Sequence, residues 1–240
     1  MSNDIFQRRE LKYLISEEQR ESFEEALQEY MIPDPHGEST ICNIYYDTPD
    51  FRLIRHSLEK PVYKEKLRLR SYGTAQYDGK VFLELKKKYK GVVYKRRISL
   101  TDSEAEDYLN GEADLPFDCQ IGREIEYFMR FYENLMPAVY LSYERTAYFS
   151  NTDPDLRITF DRNILWRTVD LDLKVPSYGD PLLEEGQSLM EIKAAKAMPL
   201  WLVELLSKGE IRQTSFSKYG KAYMTLLQSK VYERRGIYCV

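Results

Sequence analysis

The sequence predicts an α+β fold, an antiparallel β-structure with amphipathic helices packed outside it. Three observations carry that expectation. Eight segments alternate apolar and polar side chains with the two-residue period of a strand. Segments of helical period, with their own start and stop residues, fall between and after them. Twenty Tyr and ten Phe in 240 residues favour pleated, half-buried surfaces.

The first strand is read over 6–15 (FQRRELKYLI). Ser16 and Gln19 then form a capping box, with Phe23, Ala26, Leu27 and Tyr30 at helical spacing behind it. Strands follow at 40–47 (TICNIYYD), 64–72 (KEKLRLRSY), 80–88 (KVFLELKKK) and 92–100 (VVYKRRISL), with a solvated turn at Tyr89 and Lys90. Thr101 and Glu104 make a second capping box, opening a short helix that Gly111 ends. A further helix is expected in 123–136 (REIEYFMRFYENLM), with its aromatic residues in the core. Strands recur at 138–150, 156–162 and 188–194. Pro199 opens and Gly209 closes a helix in LWLVELLSK. The last helix starts near Ser217 and contains Tyr219, Tyr223, Leu226 and Leu227. No linker, repeat or low-complexity segment interrupts this order, so residues 1–240 read as a single domain.

Composition excludes several classes. No run of about 18 apolar residues exists to cross a membrane as a helix. The N-terminal MSNDIFQRRE lacks the apolar centre of a secretory signal. Cys42, Cys119 and Cys239 are odd in number and lack metal-ligand spacing, which fits a reducing, cytoplasmic location. His36 and His56 are the only histidines, too few to favour a His-rich metal site or a Ser-His-Asp triad. The formal net charge of −4 says little about partners; the placement of the charges says more.

Six of the strands have one apolar and one charged face. Arg8, Glu10 and Lys12 oppose Leu11, Tyr13 and Ile15; Lys66, Arg68 and Arg70 oppose Leu67 and Leu69. Glu84, Lys86 and Lys88 oppose Val81, Leu83 and Leu85; Lys95 and Arg97 oppose Val92, Tyr94, Ile98 and Leu100. Arg157, Thr159 and Asp161 oppose Leu156, Ile158 and Phe160; Glu191 and Lys193 oppose Met190, Ile192 and Ala194. Helices can cover the apolar faces. The charged faces then either meet solvent, as in an ordinary two-faced sheet, or face one another inside a closed barrel. Their bias towards Arg and Lys departs from the mixed signs of a solvent face. Arginine suits bidentate phosphate recognition, and the interspersed Glu10, Glu84 and Glu191 suit a hard divalent cation. Lys87 and Arg96, on the other face of the hairpin, are expected in solvent.

YYDTPDFRLIRHSL (45–58), followed by KLRLRSY (66–72) and VFLELKKK (81–88), resembles the CYTH-type triphosphate tunnel metalloenzymes. Within that group the chain most resembles the polyphosphate polymerase domain of the vacuolar transporter chaperone (VTC) complex, in order along essentially its whole length. The resemblance implies an eight-stranded antiparallel barrel, a triphosphate tunnel with a basic lumen. It also implies Mn²⁺ or Mg²⁺, and ATP, polyphosphate or tripolyphosphate as ligand. Phosphate would be held by Lys12, Arg68, Arg70, Lys86, Lys95, Arg145, Arg157, Ser217 and Lys218. The catalytic set would be Arg68, Arg70, Lys86, Arg157 and Glu191. Glu191 would bind the metal, with Glu10 or Glu84. Glu84 and Glu10 also read as ion-pair partners of neighbouring bases, Asp161 as a group orienting Arg157, and Lys193 and Lys221 as exposed lysines. The hydrolytic branch usually begins E-x-E-x-K, whereas here Arg8 stands in the first place, which favours the polymerase-like branch. The related polymerase domains sit in longer chains with membrane parts, which this sequence does not show. Alternatives are a triphosphatase of the same fold, acting on inorganic or nucleoside triphosphates, and a polyphosphate-binding module without turnover. An enclosed tunnel argues against nucleic acid.

Overall fold

The computed structural model describes residues 9–90 and 92–234, with side chains to 229. Arg8, the start of the first predicted strand and Cys239 lie outside the described residues. In chain order the first half contains β1 (Arg9–Ile15), α1 (Glu17–Leu27), β2 (Met31–Pro33), β3 (Ser39–Asp47), α2 (Arg52–Leu58), β4 (Tyr63–Tyr72), β5 (Lys80–Tyr89) and β6 (Val92–Thr101). The second half contains α3 (Asp102–Asn110), α4 (Gln120–Tyr132), β7 (Met136–Ser150), β8 (Arg157–Arg167), β9 (Asp180–Pro181), β10 (Ser188–Ala194), α5 (Leu200–Lys208), β11 (Gln213–Thr214) and α6 (Lys218–Arg234).

All eight expected strands form. The short strands β2, β9 and β11 were not anticipated; each is too brief to show alternation. Both capping boxes form. The Gln19 amide donates to Ser16 Oγ at 3.1 Å, and the Ser16 amide to Gln19 Oε1 at 3.0 Å. The Glu104 amide donates to Thr101 Oγ1 at 3.2 Å, and the Thr101 amide to Glu104 Oε2 at 2.8 Å. Gly111 ends α3 with φ of 77°, a left-handed cap that glycine reaches without a Cβ penalty. Helix α2 was not anticipated either. Its amides at Leu53 and Ile54 donate to the buried Asp47 carboxylate at 2.8 and 3.0 Å, a cap supplied from outside the helix.

The strands form one antiparallel sheet in the order β11-β1-β10-β8-β7-β3-β4-β5-β6, with β2 on β7 and β9 on β8. This corrects the closed eight-stranded barrel: among the described residues the sheet has eleven strands, and no ladder joins β6 back to β1 or β11. The sheet nevertheless curls. Lys86 on β5 and Glu10 on β1, near opposite ends of the strand order, approach to 3.7 Å. The face on which they meet is therefore the inner face.

Three apolar clusters anchor the helices. On the outer face, α3 and α4 pack Ala105, Ile125 and Phe128 against Leu67, Leu83, Leu85 and Ile98. Helices α1 and α5 pack Phe23, Leu27, Leu202 and Leu206 against Ile158, Phe160, Met190 and Ile192. The third cluster corrects the expectation that every helix lies outside. Ile54 of α2 and Tyr219, Ala222 and Tyr223 of α6 join Tyr45, Leu141 and Leu189, whose side chains belong to the inner face. The expected core helix is also partly open, because Tyr127 and Phe131 of α4 are 68% and 55% exposed. Lys87 and Arg96 are not simply solvated: both lie 3.6 Å from Glu124 and tie α4 to the hairpin. No helix among the described residues is long and apolar enough to cross a membrane.

Candidate phosphate-binding site

Directly opposed residues in neighbouring strands share a face, so the register assembles the site. Arg68 pairs Glu84, which pairs Arg97; Lys66 pairs Lys86, which pairs Lys95. Lys12 pairs Glu191, which pairs Thr159. Glu10 pairs Lys193, which pairs Arg157, and Arg145 pairs Asp161. The charged sides read strand by strand thus become one continuous inner face.

Glu84 organises one wall. Its Oε2 accepts Arg68 Nε at 2.8 Å, and its Oε1 lies 2.5 Å from Lys95 Nζ. Arg70 and Arg97 stand 3.8 and 4.0 Å away. Burial favours the neutral acid, but Arg68, Arg70 and Lys95 outweigh it and hold the carboxyl at about 2. The arginines are also braced from β3 and β7. Arg70 Nε donates to Asn43 Oδ1 at 2.9 Å and its NH2 to the Tyr143 hydroxyl at 3.2 Å. Arg68 NH1 donates to the Tyr45 hydroxyl at 3.1 Å.

Glu191 and Asp161 organise the other wall. Arg145 grips Asp161 with two hydrogen bonds of 2.5 and 2.7 Å, and Lys218 donates to the same carboxylate. Glu191 lies within 3.4 Å of both Lys12 and Lys218, with Arg145 at 3.8 Å and Lys193 at 3.9 Å. Burial opposes ionisation of Glu191, yet Lys218, Lys12, Lys193 and Arg145 hold its pKa well below the usual range. Lys12 also donates to the Phe216 carbonyl at 3.0 Å, and Lys66 to Ser217 Oγ at 3.2 Å. The segment leading into α6 thus spans both walls. Burial outweighs other influences at Lys66 and Lys193 and brings each to about 8. At Lys95 burial again dominates, against the pull of Glu84, with the same result of about 8.

The fold brings Lys12, Arg68, Arg70, Lys86, Lys95, Arg145, Glu191, Ser217 and Lys218 onto this face. Arg157 stands nearer its rim, 3.6 Å from Asp34 and stacked 4.6 Å from the Phe149 ring. Asp161 orients Arg145 and Lys218 rather than Arg157. Lys193 is half-buried beside Glu191, whereas Lys221 is exposed. Glu84 does not join the other two acids named for a metal. Among the described residues no three Asp, Glu, His or Cys side chains gather into a metal-binding group. Glu10 and Glu191 do converge: Lys12 Nζ lies 3.3 Å from one and 3.4 Å from the other. A lysine ammonium shared by two carboxylates marks a place that accepts positive charge. Two carboxylates, completed by phosphate oxygens and water, suit Mg²⁺ or a similar hard ion. Sequence reading missed Asn43, Tyr45 and Tyr143, which brace the arginines, and Thr159, whose buried hydroxyl has no hydrogen-bond partner. The alternation of Tyr143 with Arg145, and of Asn43 with Tyr45, was the available signal.

The VTC domain pattern matches residues 7–227. The chain belongs to the VTC domain family. Solved structures share the fold of this VTC domain at low sequence identity. A candidate adenylate cyclase from Bacillus halodurans is 17% identical, with a TM-score of 0.56 over 90% of this chain and 96% of its own. A second, from Vibrio parahaemolyticus, is 12% identical, with a TM-score of 0.50 over 92% and 99% of the two chains. A candidate adenylyl cyclase from Hippeastrum, described as having a dominant triphosphatase activity, is 15% identical, with a TM-score of 0.51 over 96% of each chain. With these neighbours the VTC domain shares its fold. No curated protein sequence matches it significantly.

Proposed function

We propose that this VTC domain transfers phosphoryl groups between triphosphate-bearing ligands held on its inner face, and that its reaction is the ATP-dependent synthesis of polyphosphate. The observation that carries the reading is the charge on that face. Lys12, Lys66, Arg68, Arg70, Lys86, Lys95, Arg97, Arg145, Lys193 and Lys218 gather around Glu10, Glu84, Asp161 and Glu191. The cations outnumber the carboxylates by more than two to one, which suits a polyanion.

Phosphoryl transfer depends on positioning and charge neutralisation more than on covalent help from side chains. Arg68 and Arg70 would grip phosphate oxygens through their planar forks, with Lys86, Lys95, Arg145 and Lys218 around them and Arg157 at the rim. A terminal phosphate oxygen of the growing chain then attacks the γ-phosphorus of ATP. The bond from that phosphorus to the β,γ-bridging oxygen breaks, and ADP leaves. Glu191 and Glu10 would hold Mn²⁺ or Mg²⁺, which supplies neutralisation of the phosphate and leaving-group charge. The polymerase reading is supported by the family and by Arg8 in place of the first glutamate of the hydrolytic pattern. The triphosphatase activity described for the Hippeastrum protein supports a second reading, in which water is the nucleophile. Incubation with ATP and Mn²⁺ separates the two. Synthesis yields a polymer ladder on a gel with ADP, whereas ADP and free phosphate rising in step without polymer would overturn it in favour of hydrolysis. Binding of tripolyphosphate without consumption of ATP would leave a binding module.

A further inference from the structure

We propose that Tyr72, Phe82 and Arg97 form a subsite for the planar base of a nucleoside triphosphate, at the rim of the basic face. The inference rests on the triphosphate reading above and adds a head-group specificity to it. Residues 66, 68, 70 and 72 alternate along β4 and so share the inner face. Phe82 lies directly across from Arg70, and Arg97 directly across from Glu84. The aromatic pair therefore adjoins the arginine clamp. Tyr72 is 55% exposed. Its ring meets Phe82 at 5.8 Å and 85°, an edge-to-face contact, and over half of the residue still meets solvent. The Arg97 guanidinium lies 4.5 Å from the Phe82 ring centroid, and Lys80 Nζ lies 5.5 Å from it.

Exposed aromatic rings beside a cationic track are the chemistry that holds nucleobases by stacking. Inorganic polyphosphate, which has no π-face, gains nothing from them. The spacing also suits a nucleotide. Same-face residues on a strand advance by roughly 6–7 Å. A triphosphate leaving a base at Tyr72 would pass Arg70 and Arg68 and run towards Lys66 and Lys86. The Lys66 end is covered by α6, where Tyr219 stacks on Tyr45 at 4.7 Å and Lys66 lies 5.8 Å from the Tyr219 ring. The base would thus sit at the end away from α6, with the terminal phosphate farther in. Tyr127 and Phe131 also stack while exposed, but on α4, which packs on the outer face.

The test compares dissociation constants of ATP and inorganic tripolyphosphate, each without divalent metal, in wild type, Tyr72→Ala and Tyr72→Phe. Loss of one base–aromatic stack should weaken ATP binding by about tenfold in Tyr72→Ala. Tripolyphosphate binding should be unchanged, and Tyr72→Phe should bind ATP as wild type does. An equal loss for both ligands in Tyr72→Ala, or no loss for ATP, would overturn the base subsite while leaving the triphosphate reading intact. Wild-type protein that binds neither ligand would overturn both.

Discussion

Arg68 lies at the centre of one wall of the proposed site. Its Nε and NH2 meet the Glu84 carboxylate and its NH1 donates to the Tyr45 hydroxyl. Arg68→Ala should therefore weaken tripolyphosphate binding by about ten- to a hundredfold, in line with ~1.5–3 kcal/mol for a charge-assisted contact. Turnover should be lost with the fold intact, because Lys95, Arg70 and Arg97 still neutralise Glu84. Calorimetry with circular dichroism checks both halves, and wild-type affinity would refute the assignment. Lys66 carries a pH prediction. Burial lowers it to about 8, from an ordinary 10.5. Between those values the unfolded chain binds the extra proton, so Lys66 makes the unliganded protein more stable as pH rises. Tripolyphosphate affinity should move the other way, falling above pH 8 as the ammonium is lost. Lys95 and Lys193, also brought to about 8, share both trends, so Lys66→Gln should reduce each slope without abolishing it, and parallel slopes in wild type and variant would exclude Lys66 as a source. The residue scale was only half legible in the sequence. Side-chain alternation revealed which face Arg68 and Glu84 occupy, but not that Glu84 would be enclosed by Arg68, Arg70 and Lys95. That choice of partners depends on strand register.

At the scale of elements, the segment YYDTPDF is a joint. The fully buried Asp47 carboxylate accepts from the Thr48, Leu53 and Ile54 amides and from the Tyr219 hydroxyl at 2.8 Å. One side chain thus caps α2 and holds α6, which delivers Lys218 and Ser217 to the site. Asp47→Ala strands these donors and should cost about 2–4 kcal/mol in urea unfolding. It should also weaken tripolyphosphate binding by loosening α6. Tyr219→Phe keeps the stack on Tyr45 and loses one donor, so it should cost about 1–2 kcal/mol. Equal stability of the two variants would show that Asp47 does not join the helices. The capping boxes at Ser16 and Thr101 were readable because cap and partner lie three residues apart. Helix α2 was not, because Thr48–Pro49–Asp50 reads as a turn and its cap reaches forward six and seven residues.

For the whole molecule, the inner face is a store of like charge that a bound polyanion would relieve. Two like charges about 4 Å apart cost up to ~4 kcal/mol at an effective dielectric near 20, a repulsion that the intervening carboxylates and water reduce. A ligand that binds only the folded state at a hundredfold excess over its dissociation constant adds ~2.7 kcal/mol. For a chain of this size that raises Tm by roughly 5–10 °C. Tripolyphosphate should produce this rise, and sulfate at equal ionic strength should produce much less, because screening alone does not distinguish the anions. The double variant Arg68→Ala/Arg70→Ala should lose most of the tripolyphosphate shift. Equal shifts for both anions in wild type would return the inner face to an ordinary solvated surface.

The sequence by itself determined the eight long strands, their apolar and charged sides, the capped helices and which basic residues share one face of their strands. Those features depend on neighbours two to four positions away, and local chemistry decides them. Only the tertiary structure decided that no ladder among the described residues closes the sheet between β6 and β1, that α2 and α6 lie on the inner face, and that Glu10 and Glu191 converge while Glu84 stands apart. Each of these joins residues far apart in the chain. Lys86 meets Glu10, and Tyr219 meets Asp47, only after long-range ladder register has been set. An alternating pattern shows which way a side chain points, but the curl of the sheet decides what it meets.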